Sequence, residues 1–190
     1  MEVRFHGRGG QGTVVASEIL ANAFFRAGKC VQAFPSFGVE RRGAPVAAFL
    51  RVADHPILVR CQIESPDHVV ILDPTLLASV DVCAGVRRGG WIVINSPHPP
   101  DHFRGLVSNE LSVATVDASG IARRYGLGNR THPIVNSAIL GAFAAATRTI
   151  DPAHVLAAIR EGVPAAPEEN ARAALAAFEE TRGVEEVLRP

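Results

Sequence analysis

The stretch FHGRGGQGTVV, residues 5–15, sets Gly7, Gly9 and Gly12 at the spacing G-x-G-x-x-G, between a short apolar run and a helical pattern. It reads as strand, tight glycine turn and helix. "EVRFHG" is the strand, stopping at Gly7, and "GTVVASEILANAFFRAG" is the helix. Within it Val15, Ile19 and Ala23 recur every fourth residue on one face, and Glu18, Asn22 and Arg26 on another. Gly28 is placed to stop it. "KCVQAF" follows as a second strand, so residues 2–34 make a βαβ unit with a right-handed crossover. The glycine loop then lies at the C-terminal edge of the first strand.

Working outward, "PSFGVERRGAP" holds two prolines and two glycines in eleven residues and reads as a long loop. "VAAFLRVADHPILVR" looks like a hairpin turning at Asp54-His55-Pro56. "HVVILDP" and "GWIVINS" are continuous apolar runs, the pattern of strands buried on both faces. "TLLASVDVCAGVRR" between them is expected to be a short helical crossover. "LSVATVDAS" is a further strand and "SGIARRYG" a short helix. From about residue 133 the chain turns Ala-rich, helical and strand-free, with Asp151 and Pro152 as N-cap and first residue of one helix. The expectation is an α/β, Rossmann-like three-layer fold. Its sheet is mixed and mostly parallel, and C-terminal helices complete one domain over residues 1–190.

The glycine spacing is the dinucleotide fingerprint, and its physics is sound. Glycines permit the turn and let a phosphate approach the backbone, while the helix N-terminus offers free N–H groups and partial positive charge. Arg8 adds a cation. A nicotinamide site also needs an acid at the end of the second strand, about 20 residues on. Here that strand ends "QAFPSF", and the first acid after it is Glu40, inside the loop. An anion or polar-ligand site, a purely structural turn and an NAD or FAD site are the three readings, and the missing acid weakens the last.

Charge is balanced, 19 basic residues against 19 acidic, so neither nucleic acid nor an anionic membrane is indicated. The pairs in "VRRGG" and "IARRYG" read as solvated loop charges. The three cysteines form no C-x-x-C, which argues against a disulfide framework or iron–sulfur ligation. Cys30 and Cys61 lie in strand-like runs and are expected to be small buried hydrophobes. No apolar run is long enough to cross a bilayer and no signal peptide is visible, so the expected setting is soluble and cytoplasmic. There is no G-x-S-x-G elbow and no Walker loop. His98, Asp101 and His102 in "SPHPPDHF" could ligate a metal but read better as a surface loop. Asp73, Asn95 and Ser96 end strands at the edge where α/β sites lie, and each could equally cap the next helix. Asn136 sits in an apolar helix, where it needs either a neighbouring loop or a ligand. Nothing resembles a paired acid/base or nucleophile constellation.

Taken in order, "RFHGRGGQG" and "QAFPSFGVERRGAPVAAFLRV" resemble the gamma subunit of the 2-oxoacid:ferredoxin oxidoreductases, the pyruvate and 2-ketoisovalerate group. "PILVRCQIESPDHVVILDPTLL", "GWIVINS" and "NSAILGAFAAAT" continue the likeness over nearly the whole chain. Val39 stands where proline is frequent in that family.

The resemblance implies a subunit of a complex that oxidatively decarboxylates pyruvate or a related 2-oxoacid with coenzyme A, yielding acyl-CoA, carbon dioxide and two electrons for ferredoxin. Coenzyme A is a co-substrate of the complex. Thiamine diphosphate and iron–sulfur clusters belong to partner subunits, and none is tightly bound by this chain. The implied partners are alpha, beta and delta subunits, with ferredoxin reached indirectly; alone, the chain could form a homodimer and should be inactive. The implied contacts with coenzyme A or a neighbouring subunit are Gly7, Arg8, Gly9, Gly10, Gln11 and Gly12 in the glycine loop. Ser36, Phe37, Gly38, Arg41 and Arg42 in the second loop and Asn136 complete the set. No residue is expected to be catalytic and none to bind metal. The alternatives are a free-standing nucleotide- or NAD-binding Rossmann-like module and a scaffold that only packs the complex.

Overall fold

Buried apolar runs form one six-stranded sheet, in the order β2 (Cys30–Pro35), β3 (Pro45–Ala53), β1 (Glu2–Arg8), β4 (His68–Ile71), β5 (Trp91–Asn95) and β6 (Ser112–Val116). The computed structural model describes residues 1–36 and 43–184. β1 (Glu2–Arg8) leads through α1 (Thr13–Arg26) to β2 (Cys30–Pro35), and β3 (Pro45–Ala53) returns antiparallel between them. β4 (His68–Ile71), β5 (Trp91–Asn95) and β6 (Ser112–Val116) then add in parallel on the other side of β1. Every strand except β3 therefore runs the same way, and the sheet is mixed and mostly parallel as expected.

One face carries the five α-helices of the described residues: α1, α2 (Ala118–Arg124), α3 (Asn136–Thr147), α4 (Pro152–Gly162) and α5 (Pro167–Glu180). α3 is apolar all round because it is covered all round, by β5 and β6 beneath and by α4 and α5 beside it. At its seam with α5 the two backbones approach closely: a Cβ on Gly141 would meet the Ala174 carbonyl well inside 3.0 Å. The opposite face of β4 and β5 packs Val69, Ile71, Ile92 and Ile94 under Leu76, Val82, Phe103 and Val107. That third layer is thin, made of two 3₁₀ turns (Pro74–Ala78 and Pro100–Phe103) and irregular chain.

Three local expectations are corrected. First, the hairpin is β2–β3, not the one drawn around Asp54. Residues 57–60 form no strand, because both edges of β3 are already taken by β1 and β2. Second, the crossover from β4 to β5 is one 3₁₀ turn and a run of turns. Its chain at Val82 and Ala84 is held down on β1 by Arg4, whose Nη2 donates to both carbonyls at 3.0 and 2.6 Å. Third, Cys61 is exposed and Cys30 only half-buried, since neither lies in a strand covered on both sides. His98 and His102 do lie in a surface segment, with their rings stacked 4.2 Å apart. Among the described residues there is no group of three or more metal-ligating side chains and no helix long and apolar enough to cross a membrane.

Candidate functional site

The chain leaves β1 for one side of the sheet through α1 and later fills the other side from β4 onward. The crevice beyond the C-terminal ends of β1 and β4 is therefore the topological switch point, where ligands of open α/β sheets bind. The glycine loop occupies it. Gly12 takes a left-handed conformation (φ +74°) at the N-cap of α1, and no side chain caps the helix. The N–H groups of Gly12, Thr13, Val14 and Val15 meet no acceptor among the described residues. That is the set of donors a helix start presents to an anion. Asn136, the first residue of α3 and buried, lies against Gly12: a Cβ on Gly12 would come within 2.7 Å of Asn136 Nδ2. Asn136 Oδ1 accepts from Ser137 N, while Nδ2 donates to nothing among the described residues.

The loop is held by bonds that the glycine spacing does not announce. Gly9 N donates to Ala44 O (2.9 Å) and Gly43 N to Gly9 O (3.1 Å), joining the glycine loop to the end of the second loop. Arg8 reaches back rather than out. Its Nε donates to Asp73 Oδ2 (3.1 Å), its Nη1 to Gly43 O (3.1 Å) and its Nη2 to Thr75 Oγ1 (2.8 Å). Gln11 closes the ring, with Nε2 donating to Asp73 Oδ2 (3.0 Å) and Oε1 accepting from Arg8 N (2.7 Å). Asp73 Oδ1 also caps the 3₁₀ turn through Thr75 N (3.0 Å). Burial alone would raise the Asp73 pKa. The hydrogen bonds from Thr75 and Gln11 and the charge of Arg8 outweigh it and hold the carboxyl below its ordinary value.

Gly7 and Gly12 are also packing residues. A Cβ on Gly7 would meet Thr13 Oγ1 well under the 3.0 Å that real Cβ atoms keep. Glycine lets the loop close, and closure leaves the first N–H groups of α1 without an acceptor among the described residues. Asn95 resolves toward structure. Its side chain joins Leu72 O (2.9 Å) and Ser119 Oγ (3.0 Å), stapling β4 and the start of α2 to β5.

Residues 2–180 match the family model described as pyruvate ferredoxin/flavodoxin oxidoreductase. The chain belongs to that family. It is 50% identical over 184 residues to the "pyruvate/ketoisovalerate oxidoreductases common subunit gamma" of Thermococcus kodakarensis, covering 95% of this chain and 97% of that one. The crystal structure of pyruvate oxidoreductase subunit PORC from Thermotoga maritima superposes with a TM-score of 0.82 at 33% identity, covering 96% of this chain and 97% of that one. The fold also recurs in the 2-oxoglutarate:ferredoxin oxidoreductase of Magnetococcus marinus (TM-score 0.69, 20% identity). It matches 94% of this chain and occupies 30% of that one.

In this family member the structure brings Gly7, Arg8, Gly9, Gly10, Gln11, Gly12 and Asn136 to one edge. Ser36 lies at the same edge, its N–H extending the β2–β3 ladder to Ala47 O (2.8 Å). Phe37, Gly38, Arg41 and Arg42 lie outside the described residues. Sequence reasoning missed the roles of Asp73 and Thr75 as the clasp of the glycine loop. A signal existed, since the strand-end acid and the loop cation come from neighbouring parallel strands and end at the same edge.

Proposed function

We propose that this chain is the gamma subunit of a 2-oxoacid:ferredoxin oxidoreductase and that it contributes to coenzyme A binding and subunit packing. Thiamine diphosphate and iron–sulfur clusters reside in partner alpha, beta and delta subunits, electrons pass from those to ferredoxin, and the complex works in the cytoplasm. Family membership over nearly the full length of a relative named as the gamma subunit supports the subunit role.

The observation that supports the coenzyme A role is the open α1 N-terminus with the unspent Asn136 amide beside it. Four backbone donors and one amide fit a phosphate oxygen cluster, and coenzyme A carries a pyrophosphate and a 3′-phosphate. Three of the five Arg8 donors are bound within the chain and its charge is matched by Asp73, so Arg8 orients the loop and adds two remaining N–H groups. The sequence supplies Arg41 and Arg42 as the cations for the phosphates.

The test is coenzyme A titration of the assembled enzyme carrying Arg42→Ala. Loss of a charge-assisted bond raises the coenzyme A KM roughly tenfold or more, with thiamine binding unchanged. An unchanged coenzyme A dependence assigns Arg42 to a subunit interface instead.

A further inference from the structure

Between β3 and β4 the chain carries the apolar run Pro56-Ile57-Leu58-Val59-Arg60-Cys61. By composition it is a strand: β-branched and aliphatic residues in succession. It forms none here. Residues 56–60 contain no helix, turn or bend, and among the described residues no backbone N–H from Ile57 to Gln62 donates a hydrogen bond. Leu58 is 87% exposed and Val59 53% exposed, although neighbouring large aliphatic side chains are almost all in the core.

The segment is nevertheless held at both ends. It leaves β3 at Ala53. At its far end the buried Arg51, stacked 5.4 Å over Phe34, donates from Nη2 to Cys61 O at 2.7 Å and Gln62 O at 3.4 Å, after which Ile63 enters the core. The fold therefore anchors a strand-competent run at its ends and leaves its middle unpaired. Unpaired backbone on an apolar run is a template for another strand.

We propose that residues 57–61 dock a strand of another subunit of the oxidoreductase, an apolar strand carrying a carboxylate opposite Arg60. The inference rests on the subunit reading above. Two observations select this occupant over a second copy of the chain. Arg60 is exposed and has no acidic partner among the described residues. Antiparallel self-pairing about Val59 would set each Arg60 opposite a Leu58, leaving both cations against apolar side chains, whereas a carboxylate opposite gives a favourable cross-strand pair. The relative from Thermococcus kodakarensis is itself named as a subunit, and the Magnetococcus marinus chain carries the same fold within a much longer polypeptide. A neighbouring polypeptide surface is thus a regular companion of this fold.

The experiment co-produces the full chain with the other subunits, comparing wild type with Leu58→Asp/Val59→Asp and with Val59→Pro, which removes the central N–H. Exposed positions leave the thermal midpoint of the isolated chain within about 2 °C of wild type. Recovery of the variants in the purified complex falls at least tenfold, and Arg60→Ala gives a smaller loss. Variants that assemble as wild type does overturn the proposal, as does a large drop in midpoint, which would make the run a structural element. A dimer of the isolated chain that the double variant dissolves, with normal assembly, overturns it in favour of a second copy. A wild-type chain that assembles with nothing overturns the subunit reading and this proposal with it.

Discussion

His6 should make this protein lose stability in mild acid by an amount that one substitution removes. The residue is 8% exposed on β1, and Arg4 Nε donates to its Nε2 at 3.0 Å, so the ring must be neutral with its proton on Nδ1. Burial first, and the Arg4 charge second, push its pKa down from 6.5 to about 4. Arg4 has no carboxylate in contact among the described residues; the Val82 and Ala84 carbonyls and the imidazole share its solvation. The Asp81 charge acts on it at longer range. Between pH 6.5 and about 4 the unfolded chain binds a proton that the folded chain refuses. Stability from this group is therefore complete above pH 6.5 and falls as the pH falls, reaching a loss of about 3 kcal/mol at and below pH 4. The variant His6→Gln keeps an acceptor for Arg4 without titrating. Urea unfolding at pH 7 and near pH 4.5 should show wild type losing about 2 kcal/mol more than the variant across that interval. Parallel pH profiles for the two proteins would refute the assignment of a neutral, Arg4-bonded His6.

Two further outcomes follow from contacts in the fold. Gly141→Ala would place a Cβ on the Ala174 carbonyl, well inside 3.0 Å. Alanine is the better helix former by up to ~1 kcal/mol, but forcing α3 from α5 costs about 1–3 kcal/mol, so net destabilisation is expected in denaturant melts and a stabilised variant would contradict the seam. Asp73→Asn removes the charge facing Arg8 and turns one of two accepting oxygens, one serving Arg8 and Gln11 and the other Thr75, into a donor. It should cost about 1–3 kcal/mol and weaken coenzyme A binding by the assembled enzyme, while an unchanged coenzyme A KM with normal stability would remove Asp73 as the clasp.

Much of this fold is legible locally. β4 and β5 announce themselves as continuous apolar runs, and α1 through its four-residue periodicity between glycine stops. Strand neighbours are not local. Residues 45–60 hold two strand-like runs, and only the sheet shows that β2 had already claimed the edge of β3 that the second run would need. The same limit hid Cys61, whose exposure follows from that lost pairing. At the site, the glycine spacing marks the turn from β1 into α1, which the structure contains. Its clasp is a contact between Arg8 and Asp73, 65 positions apart, and periodicity cannot see it. Arg8 looked like a free cation for a ligand because its partner arrives from the next parallel strand.

The subunit role is tested most directly by reconstitution. The proposed alpha, beta and delta partners are purified with and without this chain, and 2-oxoacid-dependent ferredoxin reduction is measured with coenzyme A present. The account predicts no turnover by the isolated chain, little by the partners alone, and full coenzyme A-dependent turnover when the chain is restored. Turnover by the isolated chain, or undiminished turnover by partners lacking it, would contradict the account.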